Sequence, residues 1–129
     1  MVLDTSALVA IFRKEPDWKS YLAALRSARQ PRLSAANLVE CLIVLGSRVG
    51  GDGRERLLRM LQRVGTVVEP VTQARALLAV QAHDRFGKRR HAASLNYGDC
   101  FAYALAKELD LPLLFKGNDF PQTDIHPAL

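Results

Sequence analysis

Four acids in this sequence stand where a ligand could reach them. Asp4 follows Val2-Leu3, a short apolar run that reads as a strand. Asp119 follows a second such run, Leu111-Pro-Leu-Leu-Phe115, by way of Lys116, Gly117 and Asn118. Asp99 opens a helix whose next seven residues, Cys100 to Ala106, carry no charge. Glu40 is the only charge between Ala35 and Gly46. At 100° per residue it shares a helix face with Asn37, Ile43 and Val44, so it lies on apolar surface. An ionised carboxylate there is costly unless a cation compensates it.

If the four acids gather, their mutual repulsion calls for a proton or a cation. His83, His91 and His126 fit no zinc spacing. Oxygen ligands alone select hard divalent ions, Mg²⁺ or Mn²⁺, and such a site with bound water suits phosphodiester hydrolysis. No Ser-His or Cys-His arrangement offers a nucleophile. Ser6 has no histidine near it in sequence, and its hydroxyl is better suited to orient a metal-bound water. Each acid also has a structural explanation. Asp4 and Asp99 serve as helix caps, Asp119 as a turn residue beside Gly117 and Asn118, and Glu40 as a protonated core residue or the partner of an arginine. Singly these explanations are the simpler ones. Together they leave unexplained why parallel strands would deliver Asp4 and Asp119 to one sheet edge, where open α/β sheets keep their ligand sites.

The elements that must position these acids alternate. Strands are expected near 1–4, 31–34, 66–70 and 111–115, with an edge strand near 124–126 around Ile125. Helices are expected from Ala7, at Asp17–Arg29, from Ala35 to about Val49, at Arg54–Val64 and at Gln73–Phe86. Trp18, Tyr21, Leu22 and Leu25 form one stripe, and Leu57, Leu58, Met60 and Leu61 another. In the helix after Asp99 the buried face is Phe101, Leu105 and Leu109, with Ala104 beside them. Gly50-Gly51-Asp52-Gly53 breaks the chain. This is the pattern of an α/β domain with a mainly parallel sheet. At 129 residues one domain spanning 1–129 is expected.

A net charge of +5 and a pI near 9.6 point to a polyanionic partner, nucleic acid or an acidic protein. Lys88, Arg89 and Arg90 form a basic loop before His91, and with Lys116 they are the candidates for a phosphate-holding rim. The competing account of that loop is a solvated face. No run is long enough to cross a membrane, and Met1-Val-Leu-Asp4 is unlike a signal peptide, so a cytoplasmic protein is expected. Cys41 and Cys100 then read as buried free thiols.

Asp4-Thr-Ser-Ala-Leu8, a mid-chain helix carrying Glu40, Leu95-Asn-Tyr-Gly-Asp-Cys100 and Leu114-Phe-Lys-Gly-Asn-Asp-Phe120 together resemble the PIN-domain ribonucleases. Within that family the chain is most similar to the VapC toxins of VapBC toxin–antitoxin pairs, in order and over its whole length. The resemblance implies a three-layer α/β/α sandwich with a mainly parallel sheet of four to five strands. It also implies a Mg²⁺- or Mn²⁺-dependent endoribonuclease site. In that site Asp4 and Asp99 bind metal most directly, while Glu40 and Asp119 bind it or position water. Thr5, Ser6 and Asn118 would support them, with Asn118 competing with Asp119 for the approach to the metal. The implied partners are RNA, a VapB-type antitoxin and a second copy in a homodimer, assembled into a larger toxin–antitoxin complex.

Three other readings carry less. They are a housekeeping nuclease of the same fold, a non-catalytic RNA-binding domain, and a phospho-receiver. The receiver would need an acid after a central strand, and there the sequence offers Glu69 before Pro70.

Overall fold

The structure is a computed structural model that describes residues 1–48 and 52–129. The expected helix end at Val49 and the Gly50-Gly51 part of the chain break lie outside the described residues. Four short strands, β1 (Val2–Leu3), β2 (Arg32–Ser34), β3 (Val67–Glu69) and β4 (Leu113–Leu114), form one parallel sheet in the order β3-β2-β1-β4. Val2 pairs with both Arg32 and Leu113, which makes β1 a central strand. The chain therefore runs outward from β1 on one side and returns to its other side with β4. In parallel sheets the crevice at such a reversal is where ligands bind.

Pleating sorts the strand residues between two cores, because successive side chains point to opposite faces. Val2 and Leu113 pack with α5 (Gln73–Phe86) and α6 (Tyr97–Leu109). Leu3, Leu33 and Leu114 pack with α1 (Thr5–Arg13), α2 (Trp18–Ser27), α3 (Ala35–Arg48) and α4 (Gly53–Arg63). Helices thus cover both faces, and the architecture is the expected α/β/α sandwich. Val2, Leu3, Leu113 and Leu114 have no exposed surface. Truncating one of these leucines to alanine costs about 2–5 kcal/mol, the usual penalty for a cavity in a packed core.

Several expectations need correction. β3 is an edge strand, not a central one. The segment around Ile125 supplies a single bridge, Leu113 to Pro127, in place of a strand. Leu58 points outward at 46% exposure, while Leu57 and Leu61 are buried. In α6 the buried surface wraps most of the helix from Cys100 to Ala106 and leaves Phe101 only half-buried. A helix apolar nearly all round packs nearly all round, so one stripe was too narrow a description. Cys41 and Cys100 are free and buried, one in each core.

Candidate active site

Asp4 leaves β1 and caps α1, and its backbone N–H donates to the Leu114 carbonyl of β4 at 2.9 Å. It is 2% exposed. Its Oδ2 accepts the Ser6 N–H at 2.8 Å and the Ser6 hydroxyl at 2.5 Å. Its Oδ1 is buried and has no hydrogen-bond partner among the described residues. Burial pushes the Asp4 pKa up, the Ser6 hydrogen bonds pull against that, and the Glu40 charge adds to the rise. The net shift is upward. A buried acceptor left without a partner is costly in a native fold and needs an account.

Ser6 differs from its expected role. Its proton goes to Asp4, and its oxygen accepts the Lys116 N–H at 2.9 Å. The hydroxyl therefore locks Asp4 to the loop leaving β4 and does not have its proton free for a water. In that loop Gly117 takes φ +121°, a conformation open to glycine but strained for other residues. The chain turns there and brings Asn118 and Asp119 out on the surface, both exposed.

Asp99 is the third residue of α6, not its cap. Asn96 is the cap, and the two form a reciprocal pair. The Asp99 N–H donates to Asn96 Oδ1 at 2.9 Å, and the Asn96 N–H donates to Asp99 Oδ2 at 2.8 Å. This capping box satisfies two of the helix's otherwise orphaned donors. It also aims a carboxylate at the positive end of the helix dipole. Even so, the Asp99 pKa is pushed up to about 7, chiefly by burial, and further by the charges of Asp4, Asp119 and Glu40. Asp4, Asp119 and Glu40 are thus each within electrostatic reach of Asp99.

Glu40 lies on α3 and is half-buried. Of the face expected around it, Asn37 is fully buried, Val44 is half-buried and Ile43 is 60% exposed, so the surface is part polar and only partly covered. Its Oε2 accepts the Thr5 hydroxyl at 2.6 Å and an N–H from Asn37 Nδ2 at 3.4 Å. Asn37 is fully buried and also donates to the Gly98 carbonyl at 3.0 Å. Asn37 and Gly98 are the residues that reasoning from sequence missed. The shared face of Asn37 and Glu40 was visible, but no pattern shows what lies opposite it.

No ion pair among the described residues reaches Asp4, Glu40, Asp99 or Asp119; the partners of the first three are hydroxyls, an amide and backbone N–H groups. Neither do three or more Asp, Glu, His or Cys side chains, among the described residues, form a group placed to hold a metal ion. The basic candidates divide. Lys116 gives its ammonium to Glu15 at 2.9 Å and to the Pro16 carbonyl at 3.3 Å, so it braces the loop instead of standing on the rim. Lys88, Arg89 and Arg90 are exposed on a turn pinned by Lys88 N–H to the Leu95 carbonyl at 3.0 Å, one residue before the α6 cap. Arg90 lies 3.7 Å from Asp84.

A family model described as the PIN domain matches residues 1–125. Ribonuclease VapC28 of Mycobacterium tuberculosis is 46% identical over 130 residues, spanning 100% of this chain and 98% of that protein. The crystal structure of VapC20 from the same organism, described as a sarcin-ricin loop cleaving toxin, is similar with a TM-score of 0.76. It is 17% identical and covers 98% of each chain. A toxin–antitoxin complex from Klebsiella pneumoniae has a TM-score of 0.70 at 19% identity, covering 95% of this chain and 92% of that one. At those identities the two structures speak to fold alone. The sequence match carries the rest: the chain belongs to the PIN-domain family and, within it, to the VapC ribonucleases.

Proposed function

We propose that this chain, as a single domain over residues 1–129, is the toxin of a toxin–antitoxin pair. It is an endoribonuclease that hydrolyses RNA phosphodiester bonds at Asp4, Glu40, Asp99 and Asp119 with Mg²⁺ or Mn²⁺. The observation that carries the site is the buried, unpartnered Oδ1 of Asp4, with Asp99 within electrostatic reach of Asp4, Glu40 and Asp119 and none of the four in an ion pair among the described residues. That donor set fits a hard cation: all oxygen, all anionic, with one Asp4 oxygen left unused. A full protein cage is not needed, since Mg²⁺ is commonly held by one or two carboxylates, water and substrate phosphate. Asp4 and Asp99 would hold the ion. When bound it would supply a more acidic water and neutralise charge that builds on the phosphate.

The chain's own residues do the rest. Ser6 fixes one Asp4 oxygen and leaves the other available. Asn96 holds one Asp99 oxygen and so sets the direction of the other. Thr5 and Asn37 hold Glu40 where, with Asp119, it positions the attacking water. Lys88, Arg89 and Arg90 hold the RNA backbone near the start of α6.

Two surfaces suit the proposed partners. A cleft of about 410 Å³ has a floor of Phe12, Leu22 and Met60 and a rim of Arg26, Arg59 and Arg63. It fits an acidic, amphipathic segment of an antitoxin. Val39 of α3, Leu77 and Val80 of α5, and Tyr97 expose apolar surface suited to a second copy in a homodimer. No helix among the described residues is long and apolar enough to cross a membrane. A cytoplasmic location is in keeping with two free thiols. The deciding experiment treats purified protein with chelator and then returns Mn²⁺ or Mg²⁺. RNA cleavage should vanish and recover, and cleavage that persists unchanged in chelator would overturn the metal-dependent reading.

A further inference from the structure

The proposed acids are not equally free to move. Asp4 is the cap of a helix and Asp99 half of a capping box, so both are fixed by the backbone they serve. Glu40 is a long, half-buried side chain in the body of α3, away from its ends, and something else must hold it. Its carboxylate lies directly against the first turn of α6. A Cβ placed on Gly98 would meet Glu40 Oε2 at 2.5 Å, Oε1 at 2.7 Å and Cδ at 2.8 Å. The backbone of Gly98 is helical, so the conformational freedom of glycine is not what is needed here. What is needed is the missing side chain. Asn37 then ties the two sides together, with one amide nitrogen donating to the Gly98 carbonyl at 3.0 Å, to Glu40 Oε2 at 3.4 Å and to Thr5 Oγ1 at 3.5 Å. Three elements, α1, α3 and α6, meet at that amide.

We infer that Gly98 and Asn37 are positioning residues for Glu40: the bare Cα of Gly98 is the seat for its carboxylate, and the Asn37 amide fixes the distance between α3 and that seat. The inference rests on the reading of Glu40 as part of the cleavage site. An added methyl at Gly98 displaces the end of a flexible side chain and not a backbone, so the fold survives while the acid moves. Alanine is also the better helix former, which protects α6. Residues that orient a metal-site acid from behind typically cost 10–100-fold when removed.

The experiment compares wild type, Gly98→Ala, Glu40→Gln and the double variant. The readouts are single-turnover RNA cleavage, KM, the circular-dichroism melt in chelator, and the rise in melting temperature with millimolar Mn²⁺. Gly98→Ala should melt within a few degrees of wild type in chelator. It should lower the cleavage rate by about 10–100-fold with little change in KM, and reduce the Mn²⁺-induced rise. In the Glu40→Gln background the same substitution should cost little more, because residues that act as one unit are not additive. Asn37→Ser, with a shorter polar group, should repeat the non-additivity. Wild-type cleavage by Gly98→Ala, or an equal loss with and without the Glu40 carboxylate, would overturn the inference while leaving the site intact. Wild-type cleavage by Glu40→Gln would instead remove Glu40 from the site and the inference with it.

Discussion

Two groups of carboxylates share the carboxyl edge of this sheet and have opposite surroundings. Glu69 ends β3 and receives Arg32 at 2.5 Å and Arg75 at 3.1 Å, while Arg75 also pairs with Glu108. Burial pushes the Glu69 pKa up, but the two arginines outweigh it and hold the carboxyl below its usual range. Asp4 and Asp99 sit along the same edge with only neutral donors, and both shift upward, burial leading in each. The difference lies in the compensation. A carboxylate matched by guanidinium is finished as a structure and ties strands to helices. One left among like charges is incomplete until a proton or a cation arrives.

The largest effect should come from Asp4→Asn. Asparagine caps a helix about as well as aspartate, so the melt in chelator should stay near wild type or rise as a buried charge is removed. Cleavage should fall by at least about a hundredfold, since a catalytic metal supplies several kcal/mol of transition-state stabilisation. Wild-type cleavage by this variant would erase the contrast between the two groups. The reverse pattern is expected of Arg75→Met, which strips Glu69 and Glu108 of a partner. Denaturant unfolding should show a loss of about 1–3 kcal/mol, as for a charged hydrogen bond broken in a part-buried site. Metal-dependent cleavage per folded molecule should be unchanged.

Acidity separates the groups next. Asp99 binds a proton more tightly folded than unfolded, so its neutral form favours the fold. That contribution is complete below the ordinary carboxylate range and is lost as pH rises through about 7. In chelator, lowering the pH from 8 to 5 should therefore raise the melting temperature, and Asp99→Asn should flatten the slope. Mn²⁺ should flatten it too, because the ion replaces the proton. Glu69 has the opposite sign. Its contribution is present above the ordinary carboxylate range and is lost only as pH falls through its lowered folded value. A melting temperature independent of pH between 5 and 8 in chelator would contradict the raised pKa of Asp99.

The smallest effect concerns the rim. Replacing Lys88, Arg89 and Arg90 by alanine should weaken RNA binding across sequences alike. The salt slope should fall by up to about one logarithmic unit for each phosphate that is no longer neutralised. An unchanged slope would assign the turn to solvent or to the antitoxin.

Much of this molecule was legible in its sequence. Short apolar runs without charge, Val2-Leu3 and Leu111–Phe115, read as strands covered on both faces, and the helices between them point to a parallel sheet. Asp4 and Asp119, each just beyond such a run, were then bound for one edge. Asp99 was visible as an acid at a helix start, although the cap turned out to be Asn96. These are local or near-local facts, dictated by periodicity, strand direction and capping chemistry. What covers a face is another matter. Leu77 and Val80 have the period of a buried stripe, yet they are 57% and 56% exposed. Lys116 carries a charge that composition counts toward RNA, and a glutamate about a hundred residues away takes it. Glu40 was singled out for lying on apolar surface, but it is half-buried and its holders are Thr5, Asn37 and a glycine on another helix. Sequence determined which residues share a face, because backbone geometry is the same in every helix and strand. Only the tertiary structure decided what each face meets, because that depends on contacts between residues far apart in the chain, which no local period records.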